Sequence, residues 1–223
     1  MIINSQGFGH FTNEINNQDF GIELSRMLLI LDGCSGAKYS EVGTKLFAQL
    51  FSRKEECDKL ERFEYNVKQV FDEIINMMSK YYESAKELEE KFIMENLLFT
   101  IIACFELDDK YVVKLFGDGY IITKNKMGCI SYMKHSYGKC PPYFAYKYCD
   151  LNYQNYNFKT IEFDKKTFPV VGIASDGIFP FVKDDKSKVD YLISNKKELL
   201  IRNYIFSNRQ MFFDDVTIAL FDS

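Results

Sequence analysis

The chain has 223 residues, enough for one well-packed domain or two small ones, and 47% of them are hydrophobic, which excludes a mainly disordered protein. Its net charge of -4 and pI near 5.4 argue against a nucleic-acid binder, which needs a basic face.

The first residues, Met1 to Gln6, lack a basic stretch followed by an apolar one, so no signal peptide is expected. No window approaches the roughly 18 apolar residues of a spanning helix, which points away from a membrane. The six cysteines form no C-x-x-C pair and accompany only two histidines, His10 and His135. A zinc site of the usual spacing is therefore not expected, and the thiols read as reduced in a cytoplasmic protein.

Residues 22–31 form an apolar run ending in Asp32-Gly33 and read as one buried strand entering a tight turn. Ser40 offers an N-cap before Val42, Leu46 and Leu50, four apart on one helix face. Residues 60–82 carry Phe63, Val67, Val70, Phe71, Ile74 and Met78 at helical spacing and give the clearest helix in the chain. Residues 86–91 have the composition of a solvated helix face.

After Asn96 the texture becomes that of strands. Residues 97–107, 111–116 and 120–123 are β-branched and aromatic, separated by Asp108-Asp109 and by Gly117-Asp118-Gly119. Residues 129–133 suggest a further short strand. Residues 135–157 are polar and Tyr-rich with Pro141-Pro142, and read as a long surface loop, its tyrosines folding over one sheet. Residues 168–174 form another buried strand ending at Ser175-Asp176-Gly177. Residues 196–207 look helical, and 216–221 close the chain as a strand after Asp214-Asp215. The order implies an α+β protein of one domain, residues 1–223, with helices packed on antiparallel sheets.

The informative pattern is where the aspartates fall. Asp32, Asp118, Asp176 and Asp214 each stand at the end of an apolar strand, and Asp19 precedes the first strong one. Carboxylates gathered at one edge of a sheet core give the oxygen-only coordination that Mg²⁺ or Mn²⁺ prefers. Taken singly, each Asp-Gly reads equally well as a turn.

Order and flanking residues together carry a resemblance. Asn16-Asn17-Gln18-Asp19-Phe20 resembles the first acidic motif of PP2C-type metal-dependent serine/threonine phosphatases. Leu31-Asp32-Gly33-Cys34-Ser35-Gly36 resembles their D-G-x-x-G turn, and Phe116-Gly117-Asp118-Gly119 their G-D strand end. Ile173 to Phe179 is similar to A-S-D-G-[LI]-[WF], and Asp214-Asp215-Val216-Thr217 to the closing D-[ND]-x-T. Gly7 to His10 and Cys140 to Tyr146 further resemble a bacterial branch of that family.

The resemblance implies a four-layer α-β-β-α sandwich with two Mn²⁺ or Mg²⁺ ions at one end. Asp32 would bridge both ions, the Gly33 carbonyl would bind one, and Asp176 and Asp214 would complete the other's shell. Asp19 would bind directly or orient water, and Asp118 would hold a loose third ion. The implied reaction is hydrolysis of phosphoserine or phosphothreonine in proteins by a water that the two ions activate. The implied partners are phosphorylated proteins, a partner Ser/Thr kinase or its targets; the chain is expected to be a monomer.

Several positions depart from the family pattern. Glu14 stands where the phosphate-binding Arg is expected, which leaves His10 and Lys38 as candidate phosphate ligands. Gln18 replaces a common Glu, Cys34 replaces a histidine proposed as general acid in many eukaryotic members, and Pro180 replaces a third-metal acid. His10 is the candidate general acid, because an imidazole titrates near neutral pH. The opposing expectation is a degenerate phosphatase fold that binds phosphoproteins without hydrolysing them.

Overall fold

The computed structural model describes residues 1–81, 86–137, 141–149, 156–184, 186–195 and 197–221. Strands β1 (Ile2–Ser5), β2 (Phe20–Leu24), β3 (Met27–Gly33), β4 (Phe99–Glu106) and β5 (Lys110–Phe116) are followed by β6 (Gly119–Lys124), β7 (Ile130–His135), β8 (Lys159–Asp164), β9 (Val170–Ala174) and β10 (Val216–Leu220). They pair antiparallel into two sheets, ordered β1-β10-β9-β6-β7 and β2-β3-β4-β5-β8. The helices are α1 (Phe8–Thr12), α2 (Ser40–Phe51), α3 (Leu60–Tyr81), α4 (Lys86–Asn96), α5 (Phe179–Asp184), α6 (Lys186–Ser194) and α7 (Glu198–Ser207). Among the described residues no helix is long and apolar enough to cross a membrane.

The central strands read as unbroken apolar runs because both of their faces are covered. In β3, Met27, Leu29 and Leu31 point to a helical layer while Leu28 and Ile30 point to the other sheet. Ile30, Ile102, Leu115, Ile121, Ile173 and Ala219 fill the space between the sheets. Outside one sheet, α2 and α3 bury Phe47, Phe51, Phe63 and Phe71 against Leu31, Phe99 and Phe105. Outside the other, Phe181, Leu192, Ile201 and Ile205 cover Ile122, Ala174 and Ile218. The result is the expected α+β sandwich of four layers.

Three readings of the sequence change. Residues 22–31 are not one strand but parts of the β2-β3 hairpin, with Leu24 paired to Met27 and Ser25-Arg26 at its tip. The tip is polar because it is anchored outward: Ser25 donates to Asp58 at 2.6 Å and Arg26 pairs with Asp108 at 2.6 Å. Helix α2 begins at Ser40, with Tyr39 in the cap position, and its buried stripe is Thr44, Phe47, Ala48 and Phe51. Val42 is exposed, since small residues on the adjacent face let the helix approach α4 closely: a Cβ on Gly43 would lie 1.8 Å from the Asn96 carbonyl oxygen.

The stretch expected as a surface loop begins inside β7 and returns to the core. Tyr143, Phe144 and Ala145 are buried at the start of a 3-10 turn, Phe144–Tyr148. The Phe144 ring lies tilted 4.9 Å from Phe71 and edge-on 5.3 Å from Phe116, so the described residues 143–148 of the tyrosine-rich segment fold over a sheet. Cys140, residues 150–155, Tyr82 and Lys196 lie outside the described residues. Strands β1 and β8 and helices α1, α5 and α6 were not legible in the sequence. They are short, and β8 alternates on an exposed edge.

Phe71 sits at the crossing of four rings: Phe47, Phe99, Phe144 and Tyr148 lie 4.9–5.9 Å away. Phe71→Ala is expected to cost about 3–5 kcal/mol, the range for deleting a buried phenyl group. Urea unfolding measures it; a loss under about 1 kcal/mol would mean that the tyrosine-rich segment does not depend on this cluster.

Candidate metal centre

The antiparallel order puts five chain ends at one edge of the sandwich. Asp32 ends β3 beside the start of β4, Asp118 lies between β5 and β6, Asp176 follows β9, Asp214 precedes β10, and Asp19 precedes β2. A cavity of 240 Å³ opens there, lined by Asp32, Gly33, Asp118, Asp176 and Asp214, with Cys34, Thr100, Lys134 and Tyr143 on its walls. The Asp176 amide approaches Asp32 Oδ2 at 3.4 Å, tying two strand ends together. Asp19 is buried beside Asp32, where their carboxyls come within hydrogen-bonding reach.

Glycine follows Asp32 and Asp176 for a reason other than the expected turn. Neither adopts a left-handed backbone. A Cβ on Gly177 would lie 1.9 Å from the Asp215 carbonyl oxygen, and one on Gly33 would lie 2.7 Å from that of Gln18. The neighbouring chain passes too close for any side chain, and that closeness is what brings the carboxylates together. Asp118 does sit in a turn of the expected kind, after Gly117 at φ +98°.

A buried acid beside the cluster holds the edge in place. Asp215 accepts the Gly7 amide at 2.9 Å, the Gln18 amide at 2.7 Å and His10 Nδ1 at 2.9 Å. With two amides already donating, His10 must carry its proton on Nδ1 to complete the set. Its Nε2 then faces Asp214 Oδ1 at 3.4 Å. His10, Asp214 and Asp215 bring one ligand atom each within 4.8 Å of one another, a second acidic grouping behind the cavity.

The electrostatics describe a crowded acidic cluster. Burial raises the Asp32 carboxyl well above its usual range, and Asp19, Asp176 and Asp214 push it further. Burial, then Asp215, raises Asp19 to about 8, against the nearby Ser175 and Thr217 hydroxyls, which pull it down. Protein atoms crowd the Asp176 carboxyl although part of its surface is exposed, and with Asp214 and Asp118 they raise it to about 6, opposed by Lys134. Asp214 is raised by burial, with His10 opposing. Asp19 Oδ2 is buried without a hydrogen-bond partner. A buried carboxylate oxygen left unpaired among like charges is costly for the protein alone and suits a hard divalent cation with oxygen ligands.

Of the residues singled out in the sequence, Asp19, Asp32, Gly33, Asp176 and Asp214 converge. Asp118 lines the same cavity, but both its oxygens are engaged, by Ser136 Oγ at 3.0 Å and the Tyr137 amide at 2.9 Å. His10 is 3% exposed and faces Asp214 and Asp215 rather than the cavity. Glu14 is exposed on a turn at φ 56°, and Lys38 lies over the Tyr39 ring at 4.8 Å; neither lines the cavity. The Cys34 thiol is set against the buried Tyr143 hydroxyl, in keeping with a packing role. Two residues were missed. Asp215 was read only as part of a motif, and Lys134 had no signal until β6 and β7 pair Tyr120 with it, two positions beyond Asp118.

No protein-family model matches the sequence, and neither does any curated protein. Solved structures do match over the full length. The serine/threonine phosphatase Stp1 from Staphylococcus aureus aligns at a TM-score of 0.67 and 15% identity, covering 100% of this chain and 94% of that one. The Mycobacterium tuberculosis phosphatase PstP/Ppp gives 0.65 and 15%, covering 99% and 96%. The chain has the fold of the bacterial PP2C-type serine/threonine phosphatases. PppA, a regulatory component of T6SS in Pseudomonas aeruginosa, shares this PP2C fold at 0.66 and 11% identity, covering 99% and 96%. At these identities the likeness is one of fold, and the PP2C sandwich accounts for why five distant acidic segments meet at one edge.

The raised carboxyls set a pH dependence for the metal-free protein. Each binds a proton in the folded state that the unfolded chain, near pKa 4, has already released, so stability falls as pH rises. The loss runs from about pH 4 up to about 6 for Asp176 and about 8 for Asp19. In EDTA the melting temperature is expected to drop between roughly pH 5 and pH 8, and Asp19→Asn to flatten the upper part of that drop. A melting temperature that climbs over this interval would contradict a crowded acidic cluster.

Proposed function

We propose that the chain is a metal-dependent hydrolase that removes phosphate from phosphoserine or phosphothreonine in proteins. The observation that carries this reading is the buried Asp32 carboxyl crowded by Asp19, Asp176 and Asp214, with Asp19 Oδ2 beside it unpartnered among the described residues. Asp32 lies between the other three and would share two cations; the Gly33 carbonyl and Asp19 would complete one shell, Asp176 and Asp214 the other. When bound, the cations supply Lewis-acid activation of water and neutralise the phosphate's charge. One solved PstP catalytic domain of this fold is in complex with 2 manganese ions, which makes Mn²⁺ the first ion to try.

The chain's own residues hold this geometry. His10 keeps its proton on Nδ1 for Asp215 and sits behind Asp214, so its role is to orient that carboxylate and not to donate to the leaving group. Asp118, committed to Ser136 and Tyr137, would give at most a loose third site. Tyr143 and Thr100 close the inner wall of the cavity and limit water there. The proposed setting is cytoplasmic, acting as a monomer on a partner kinase or its targets.

A second reading is a phosphoprotein-binding module without turnover. It is favoured by Glu14, which is exposed on its turn and leaves no arginine on the cavity. Phosphate release from a phosphothreonine peptide and from p-nitrophenyl phosphate separates the two. Mn²⁺-dependent release that falls roughly a hundredfold or more in Asp176→Asn is expected of the hydrolase. Mn²⁺ at a hundred times its Kd should also stabilise the fold by about 2.7 kcal/mol. Stabilisation without any release would establish the binding module instead.

A further inference from the structure

Phosphate carries negative charge into a cavity whose walls are rich in carboxylates, and one basic side chain among the described residues stands there to meet it. Among the described residues Lys134 is the only Lys or Arg lining the acidic cavity, and it also lines an adjoining groove of 230 Å³ formed with Gly177, Phe179, Pro180 and Phe213. Its Nζ makes no ion pair and no side-chain hydrogen bond among the described residues. The amine rests 5.6 Å above the Phe179 ring, a cation–π contact that steadies a flexible stem without using its donors. The backbone of β7 fixes its base, paired to Tyr120 next to the Asp118 turn.

We propose that Lys134 binds the substrate's phosphate oxygens from the β7 wall of the cavity, beside Asp176. It does there what an arginine from the first acidic segment would otherwise do. This rests on the hydrolase reading above. The other candidates are excluded by position: Lys38 is folded over Tyr39, and His10 is buried against Asp214 and Asp215. Asp176 and Asp118 are the charged groups nearest the lysine's side of the cavity. The lysine also tempers their repulsion, so a purely electrostatic role toward these acids is the rival explanation.

Two readouts separate the roles. Inorganic phosphate is titrated into Mn²⁺-loaded protein by calorimetry, and Mn²⁺ into metal-free protein by thermal shift, for wild type, Lys134→Met, Lys134→Arg and Lys183→Met. Lys183 lies 5.7 Å over the same Phe179 ring but does not line the acidic cavity, so it controls for loss of a nearby charge. Phosphate affinity should weaken about tenfold in Lys134→Met, the scale of one charge-assisted hydrogen bond. It should recover in Lys134→Arg and stay unchanged in Lys183→Met, while the Mn²⁺ midpoint holds or tightens throughout. With the phosphopeptide, KM should rise in Lys134→Met more than kcat falls.

Unchanged phosphate affinity in Lys134→Met, with wild-type protein still releasing phosphate, would overturn the assignment and leave the hydrolase standing. Mn²⁺-loaded wild type that neither binds nor releases phosphate would overturn both.

Discussion

Like charges brought together away from water repel one another, and this structure brings four of them together. Asp19, Asp32, Asp176 and Asp214 raise one another's proton affinity because the sheet edge that carries them is built from five strand ends. The fold supplies the force that overcomes the repulsion, through continuous apolar packing between and outside the sheets. Such an arrangement costs stability, and the cost grows as pH rises and the carboxyls lose their protons.

Much of this was legible in the sequence because strand ends are marked by chemistry as well as by pattern. Runs such as residues 97–107 and 111–116 announced themselves by β-branched density, and the acids fell where the runs stopped. The hairpin at Ser25-Arg26 was not legible, since two polar residues between apolar ones resemble a brief surface break in one strand. Helix α2 misled for a different reason: its buried stripe contains Thr44 and Ala48 beside two phenylalanines, and the aliphatic positions are the partly exposed ones. Hydrophobic spacing finds a helix readily, but its orientation follows from how close its neighbours come.

The site showed the same division. Asp19, Asp32, Asp176 and Asp214 could be found from order alone, whereas Asp215 and Lys134 depend on pairings between distant segments. Asp215 gathers Gly7, His10 and Gln18 onto the start of β10. Lys134 faces the cavity only because β7 pairs with β6 in this register. A histidine near an acidic motif suggests acid–base work; in the structure it is buried between Asp214 and Asp215.

Strand β10 lies between β1 and β9, and its leading residues complete both the acidic cavity and the anchor at Asp215. These contacts join residues near 10 to residues near 215, across sequence separations of 205 and 208 residues. Their loop closure is entropically late, so the rest of the sandwich must assemble before the acids can meet. During synthesis the edge therefore stays open until β10 has emerged from the ribosome, and a chain made only up to β9 lacks the assembled acidic pocket.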